Sequence, residues 1–216
     1  MKQLERQYSL LDRLCIQAEQ GLRLVAGVSD THNRANPALG MTEDYMTSEE
    51  RKYAAALMRV NHAGEVCAQA LYFGQALLAR RADLQAHLQH AALEEGDHLL
   101  WCQERIHELG SHTSYLNPAW YTFSVLIGMF AACCGDKISL GFIAATEEQV
   151  EQHLEGHLER LPVQDEKSRK IIRQMQIDEQ QHGANALAAG GEILPEFIQN
   201  TMRQIAKVMT RLAYYI

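Results

Sequence analysis

The sequence predicts an all-α fold, a four-helix core with an N-terminal helix and two further helices around it. Three observations carry that expectation. Only four prolines occur, Pro37, Pro118, Pro162 and Pro195, and each falls where helical periodicity stops or starts. Between them apolar residues recur at three- and four-residue intervals. No alternating β-branched run of useful length is present.

Taken in order, Leu4, Tyr8, Leu11, Leu14, Ala18 and Leu22 give the stripe of a first helix. The stretch from Gly27 to Met46, with Asn33, Asn36, Pro37 and Gly40, reads as a long connection. Ser48, followed by Glu49 and Glu50, has the character of an N-cap with acids in the first turn. Ala54, Leu57, Met58, Ala68, Leu71 and Leu77 carry that helix to about Ala79. Asp83 opens a second core helix that ends at Gly110, and an apolar segment follows Pro118. Further helices run from about Asp136 to Leu161 and from Asp165 to Gly190-Gly191, and a last one follows Pro195. The length fits one domain, with two small ones as the lesser alternative.

Composition narrows the function. With 216 residues, 47% hydrophobic and 22% charged, the chain can bury a sizeable core. A formal net charge of −7 argues against nucleic acid as a partner, which demands a basic face. The five cysteines, Cys15, Cys67, Cys102, Cys133 and Cys134, are odd in number and form no C-x-x-C. That excludes a disulfide scaffold, a zinc ribbon and a rubredoxin-type iron centre, and points to a reducing compartment. Lys2, Glu5, Arg6, Asp12, Arg13, Glu19 and Arg23 break any apolar signal-peptide core, so the expectation is a cytoplasmic protein.

One pattern occurs twice. Glu65 precedes Glu95-x-x-His98 by thirty residues, and Glu147 precedes Glu179-x-x-His182 by thirty-two. Residues three apart share one side of a helix, so each Glu-x-x-His can chelate an ion. Spacings near thirty fit a helix up, a short turn and a helix down to the same level. One Glu from each of two helices, plus one Glu-x-x-His from each of two others, is the ligand set of a di-iron or di-manganese carboxylate bundle. Four carboxylates and two neutral imidazoles balance two divalent ions; buried without metal, those carboxylates would face a heavy desolvation cost. Oxygen ligands with one nitrogen per ion favour iron or manganese over zinc or copper. Spacing alone leaves the register open: Glu94 and Asp178 stand four before the histidines, and Glu148 and Glu151 compete with Glu147. Gly64, Gly96 and Gly183 adjoin the candidate ligands and suggest close helix approach there.

The segments Arg59-Val60-Asn61-His62-Ala63-Gly64-Glu65 and Leu71-Tyr72-x-Gly74-Gln75 resemble blocks of the demethoxyubiquinone (demethoxyubiquinol) hydroxylases of ubiquinone biosynthesis. Glu95-x-Asp97-His98-Leu99, Thr146-Glu147-Glu148 with His153, and Asp178-Glu179-x-x-His182 are similar to that family's remaining blocks. The likeness runs from about Ser48 to the C-terminus and implies a ferritin-like di-iron hydroxylase domain over 48–216. It implies metal ligands Glu65, Glu95, His98, Glu147, Glu179 and His182, with Glu65, Glu147 and Glu179 acting in catalysis and Glu147 and Glu179 bridging or capping with redox state. It further implies two iron ions per chain, O₂ as co-substrate, and hydroxylation of the penultimate, polyprenyl ubiquinone precursor. Residues 1–47 resemble an extension of some bacterial members. Leu154 stands after His153 where several relatives carry Tyr.

This chemistry suits the residues: a diferrous pair can deliver two electrons to O₂, carboxylates can shift between binding modes, and each histidine needs an outer acceptor, for which Asp97 and Asp178 are candidates. Tyr72 lies two turns after Glu65 on the same face, where core packing is the plainer role. No G-x-G-x-x-G is present, so a nicotinamide donor would have to act on bound quinone or through a partner. The segment from Ala119 to Cys134 is uncharged. Its roughly 24 Å falls short of the ~30 Å hydrocarbon core, which leaves a buried core helix, favoured by composition, or an interfacial one with Trp120 and Tyr121 at the headgroups, favoured by a lipid substrate. Arg203, Lys207 and Arg211 form a basic row beside Ile198, Met202, Ile205, Met209 and Leu212, suited to anionic lipid or to a solvated edge. The expected location is peripheral, on the cytoplasmic side of the inner membrane. A homo-oligomer and other ubiquinone-biosynthesis proteins are the further partners the resemblance admits. An iron-handling ferroxidase is the alternative function.

Overall fold

The computed structural model describes Asp12, Glu19 and residues 34–216. The helix expected over Leu4–Leu22 otherwise lies outside the described residues. Six helices follow: α1 (Ser48–Leu78), α2 (Ala82–Glu108), α3 (Asn117–Cys133), α4 (Asp136–Arg160), α5 (Glu166–Ala188) and α6 (Glu196–Tyr215). No strand occurs among the described residues.

The boundaries follow from local chemistry. The cap of α1 is Thr47, one residue before the expected Ser48: Thr47 Oγ1 accepts from Glu50 N at 3.2 Å and the Glu50 carboxylate accepts from Thr47 N at 2.8 Å. Asp165 caps α5 by accepting from Ser168 N at 3.0 Å. Gly110, Gly135 and Gly190, with φ of 79°, 110° and 104°, turn the chain after α2, before α4 and after α5.

Helices α1 and α2 form one antiparallel pair, α4 and α5 the other, and together they make the four-helix core. Among the described residues, buried apolar side chains form three clusters, one of them where α1 meets α6 (Val60, Ala63, Ala213) and two along this bundle. Of these two, one holds Leu57, Met58, Trp101, Ile106, Leu154 and Met175. The other holds Tyr72, Leu84, Leu88, Leu140, Ile143 and Ala186. Between them lies a buried layer of Glu65, Glu95, His98, Glu147, Glu179 and His182, which the apolar layers shield from water at both ends. The described part of the extension joins the same body, with Ala38 and Met46 packed into the first cluster.

Helix α3 bridges the two pairs, and α6 packs on α1. The apolar segment is not a buried core helix. It turns its small residues inward, Ser124, Gly128, Ala131 and Ala132, and leaves Phe123, Leu126 and Phe130 exposed. The close approach in this fold is also not at the candidate ligands. A Cβ at Gly64 would meet nothing, and at Gly96 and Gly183 only ordinary contacts. At Gly74 it would collide with the Val125 carbonyl and at Gly128 with the Leu71 carbonyl, because α1 and α3 touch backbone to backbone. On α6, the expected apolar residues divide: Ile198, Met202 and Met209 are half-buried, whereas Ile205 and Leu212 are exposed beside Phe197 and Val208.

Candidate metal centre

Each core helix contributes to the polar layer because its sequence places a ligand type where the apolar stripe would continue. Glu65 comes from α1, Glu95 and His98 from one face of α2, Glu147 from α4, and Glu179 and His182 from one face of α5. All six are at most 7% exposed. Ligand atoms of Glu65, Glu95, His98 and Glu179 lie within 4.8 Å of one another, and so do those of Glu95, Glu147, Glu179 and His182.

Glu95 and Glu179 belong to both groups, Glu65 and Glu147 to one each. The side chains match this division. His98 Nδ1 stands 3.2 Å from Glu95 Oε2 and 3.1 Å from Glu179 Oε1. His182 Nδ1 stands 3.1 Å from Glu95 Oε1 and 3.5 Å from Glu179 Oε2. Each shared glutamate thus offers one oxygen to either side. The two groups as placed have Glu95 and Glu179 in common, because the two Glu-x-x-His helices, α2 and α5, face each other across the bundle; the bridging or capping that the resemblance implies for Glu147 and Glu179 concerns the metal-bound site.

The residues fit a pair of cations. Glu65 Oε2, Glu95 Oε1, Glu147 Oε2 and both Glu179 oxygens are buried without a hydrogen bond, as is His182 Nδ1. Leaving such atoms unpaired costs about 1–3 kcal/mol each, so a cluster of them is stable only if something positive neutralises it. A bound proton or a metal ion can meet that need. Burial, reinforced by the charges of Glu95 and Glu179, pushes the Glu65 carboxyl well above its usual range. Burial and the same two neighbours do so for Glu147. Burial pulls both histidines down, but Asp178 and Glu179 carry His98 well up, and Glu179 and Glu95 carry His182 up to about 12. A hard divalent ion bound by oxygen and one imidazole would replace those protons.

The acids that compete on spacing have a different place. Asp178 Oδ2 meets His98 Nε2 at 2.8 Å, and Glu94 Oε2 meets His182 Nε2 at 3.1 Å. Each acid precedes one Glu-x-x-His and holds the histidine of the other. Asp97 instead takes a contact from Arg34 at 3.4 Å. Glu148 is exposed, and Glu151 accepts from Gln180 on the outer face. The acid-Glu-x-x-His form of both repeats was the sign that could have marked Glu94 as an outer acceptor; nothing in the pattern marks Arg34.

Tyr72 is more than core packing. It donates to Glu147 Oε1, and burial together with the Glu147 charge pushes its hydroxyl well above the usual range, so it remains a donor. Beside it a partly open cleft between α1 and α4, lined by Ala68, Leu71, Phe142, Ile143 and Thr146, reaches Tyr72 and Glu147. The His153 and His157 rings lie 4.1 Å apart, tilted by 57°, away from the six-residue layer, and Leu154 joins the first apolar cluster.

Fold and site define a ferritin-like carboxylate bundle, four helices arranged around a layer able to hold two metal ions. Residues 52–213 match the family model described as Ubiquinone biosynthesis protein COQ7, and the chain belongs to that family. It is 52% identical over 211 residues to a 3-demethoxyubiquinol 3-hydroxylase of Nitrosococcus oceani, covering 98% of this chain and 99% of the relative. The corresponding protein of Ectopseudomonas mendocina is 50% identical over 212 residues, with the same coverage. That of Coxiella burnetii is 50% identical over 216 residues, the full length of both.

Proposed function

We infer that this protein is a 3-demethoxyubiquinol 3-hydroxylase, an O₂-dependent oxidoreductase of ubiquinone biosynthesis that uses two iron ions. The observation that carries the reading is the buried layer with its unpaired carboxylate oxygens, in a chain half identical over its whole length to enzymes of that name. In the reaction one oxygen atom replaces a ring hydrogen as hydroxyl, the other leaves as water, and a donor supplies two electrons. Iron bound in the layer supplies the electrons that activate O₂.

The chain's own residues do the rest. Glu65 and His98 hold one position, Glu147 and His182 the other, and Glu95 and Glu179 serve both. The cleft between α1 and α4 is narrow and leads from the outer surface toward Tyr72 and Glu147. Widened by side-chain movement, it would let the quinol ring edge approach Glu147 with the prenyl tail outside. Leu71 both lines the cleft and packs against Gly128 of α3, so the tail leaves along the outer apolar face of that helix. Tyr72, at the inner end, holds Glu147 and keeps a proton at the ring's edge. The apolar shell excludes bulk water.

No helix among the described residues is long and apolar enough to cross a membrane. Phe123, Leu126 and Phe130 on α3, with Phe197, Ile205 and Val208 on α6, support peripheral attachment to the lipid that holds such a substrate. Attachment is to the cytoplasmic side of the inner membrane. The extension over 1–47 contributes to the same domain through Ala38 and Met46.

The test is anaerobic loading of the metal-free chain with Fe²⁺, followed by a single exposure to O₂ with demethoxyubiquinol. Two irons per chain and one hydroxylated quinol support the reading. Iron oxidation with the quinol untouched, and further iron taken up on repeated additions, would establish the ferroxidase instead.

A further inference from the structure

We propose that Arg34, which lies before the matched family region, is a positioning residue: through Asp178 it fixes the ring of His98, and it makes that metal position the tighter of the two. The inference rests on the dinuclear reading above and deepens it.

Arg34 Nη2 donates to Asp178 Oδ2 at 2.8 Å. The same oxygen meets His98 Nε2 at 2.8 Å, so guanidinium and imidazole stand 3.3 Å apart around one acceptor. Arg34 Nε reaches Asp97 Oδ2 at 3.4 Å. The guanidinium also lies 5.0 Å over the Trp101 ring, which is itself 5.4 Å from the His98 ring. A planar fork with donors in fixed directions can serve carboxylates from α2 and α5 at once; a lysine ammonium is a point charge and cannot. The neighbouring segment is anchored by Ala38 in the core and by Asn36 donating to Glu104 at 2.8 Å, which sets where Arg34 can reach.

The consequence for a metal ion follows from the histidine. When Nδ1 is a ligand, the ring proton sits on Nε2, and the acceptor of that proton sets the ring's orientation and donor strength. For His98 that acceptor is Asp178, whose same Oδ2 oxygen also accepts from Arg34. For His182 it is Glu94, whose side chain is 34% exposed and whose ion-pair neighbours among the described residues are His182 and the exposed His90. Tyr72 on Glu147 distinguishes one half of the site and Arg34 on Asp178 the other; at the outer acceptors of the two histidines, the difference is Arg34.

The experiment titrates metal-free protein with Co²⁺ anaerobically, following its visible absorption and heat release. Wild type should take up two equivalents, one tighter. Arg34→Ala should weaken the tighter equivalent about 10–100-fold and leave the second nearly unmoved, with Arg34→Lys between the two. Glu94→Gln should weaken the other equivalent. In the Co²⁺ protein, the paramagnetically shifted ring N–H of His98 should exchange faster with solvent in Arg34→Ala, which a merely structural role would not cause. An Arg34→Ala isotherm that overlays wild type, or equal loss of both equivalents, overturns the proposal. Arg34→Gln decides it by the same criteria should the alanine variant fail to fold. Wild type that binds no Co²⁺ would remove the dinuclear reading itself, before any variant is compared.

Discussion

The Tyr72 hydroxyl donates a hydrogen bond to Glu147 Oε1, joining α1 to α4 where the cleft meets the buried carboxylate layer. The bond orients a carboxylate that only one of the two metal groups contains. A hydrogen bond to a charged group is worth about 1.5–3 kcal/mol, on the order of tenfold to a hundredfold in rate. Tyr72→Phe should therefore keep two irons and the fold while slowing single-turnover hydroxylation by that factor. Rapid-quench product analysis checks this; an unchanged rate would remove Tyr72 from the chemistry.

Because Glu95 and Glu179 serve both groups and Glu147 one, their substitutions should differ in kind. Glu147→Ala should retain one metal ion per chain, held by Glu65, Glu95, His98 and Glu179. Glu179→Ala should lose both ions with the helical fold intact, and with them hydroxylation. Metal analysis after desalting, beside circular dichroism, distinguishes the two. Equal metal content in both variants would contradict the shared role.

Glycine substitutions should divide by backbone contact. At Gly74 and Gly128 a methyl group meets the carbonyls of Val125 and Leu71. Overpacking of this sort costs typically 1–3 kcal/mol, here at a backbone that cannot rotate away. At Gly64 the space is open, and alanine should stabilise the helix by up to ~1 kcal/mol. Urea unfolding of Gly64→Ala and Gly128→Ala should move the midpoint in opposite directions.

The contrast between those glycines shows what the sequence could and could not convey. Helix boundaries were legible because Asp165, Gly110, Gly190 and Pro195 mark them by local chemistry. The repeated Glu and Glu-x-x-His pattern was legible because a helix converts spacing into position, while the choice of Glu95, Glu147 and Glu179 over neighbouring acids comes from the family resemblance. The partner of each glycine was not legible, since it depends on which helix crosses which. The same holds for the crossed pairing of Asp178 with His98 and Glu94 with His182, and for Arg34, which reaches the site from an irregular segment. For the apolar segment, composition alone points to core and the implied lipid substrate to an interface; its small residues face inward and bulky ones such as Phe123, Leu126 and Phe130 outward, an arrangement composition does not encode.

Acid should destabilise the fold through histidines outside the six-residue layer. Burial, with His107 nearby, lowers His62 to about 4, and Asn117 contacts its Nδ1 at 3.5 Å. Burial lowers His153 to about 4 and His157 to about 2. Unfolded, each takes up a proton below about pH 6.5; folded, it resists until lower pH. The stabilisation is thus present above pH 6.5 and is lost as pH falls. For His62 the loss between pH 6.5 and 4 is roughly 3 kcal/mol. His62→Gln should flatten the fall in stability over that window relative to wild type. Urea unfolding at pH 7 and at pH 5 reads the difference, and parallel curves would refute it.

The exposed faces of α3 and α6 should bind lipid by two separable forces. Phe123 and Phe130 are 62% and 71% exposed on a helix whose packed side is small. Burying a phenylalanine in an apolar phase gains about 1.5–3 kcal/mol, so Phe123→Ser with Phe130→Ser should weaken vesicle binding by more than about tenfold per residue. Neither side chain supports the fold, so stability should not fall. On α6, Arg203, Lys207 and Arg211 lie along one side, and a basic residue near an anionic surface contributes about 1 kcal/mol. Charge reversal there should reduce binding to phosphatidylglycerol vesicles, leave binding to phosphatidylcholine unaltered, and remove the salt dependence. Co-sedimentation with both vesicle types, at low and high salt, separates the contributions. The phenylalanine pair should lose binding to either lipid, since the apolar term does not depend on headgroup charge. Undiminished binding of that double variant would exclude α3 as the lipid-facing helix.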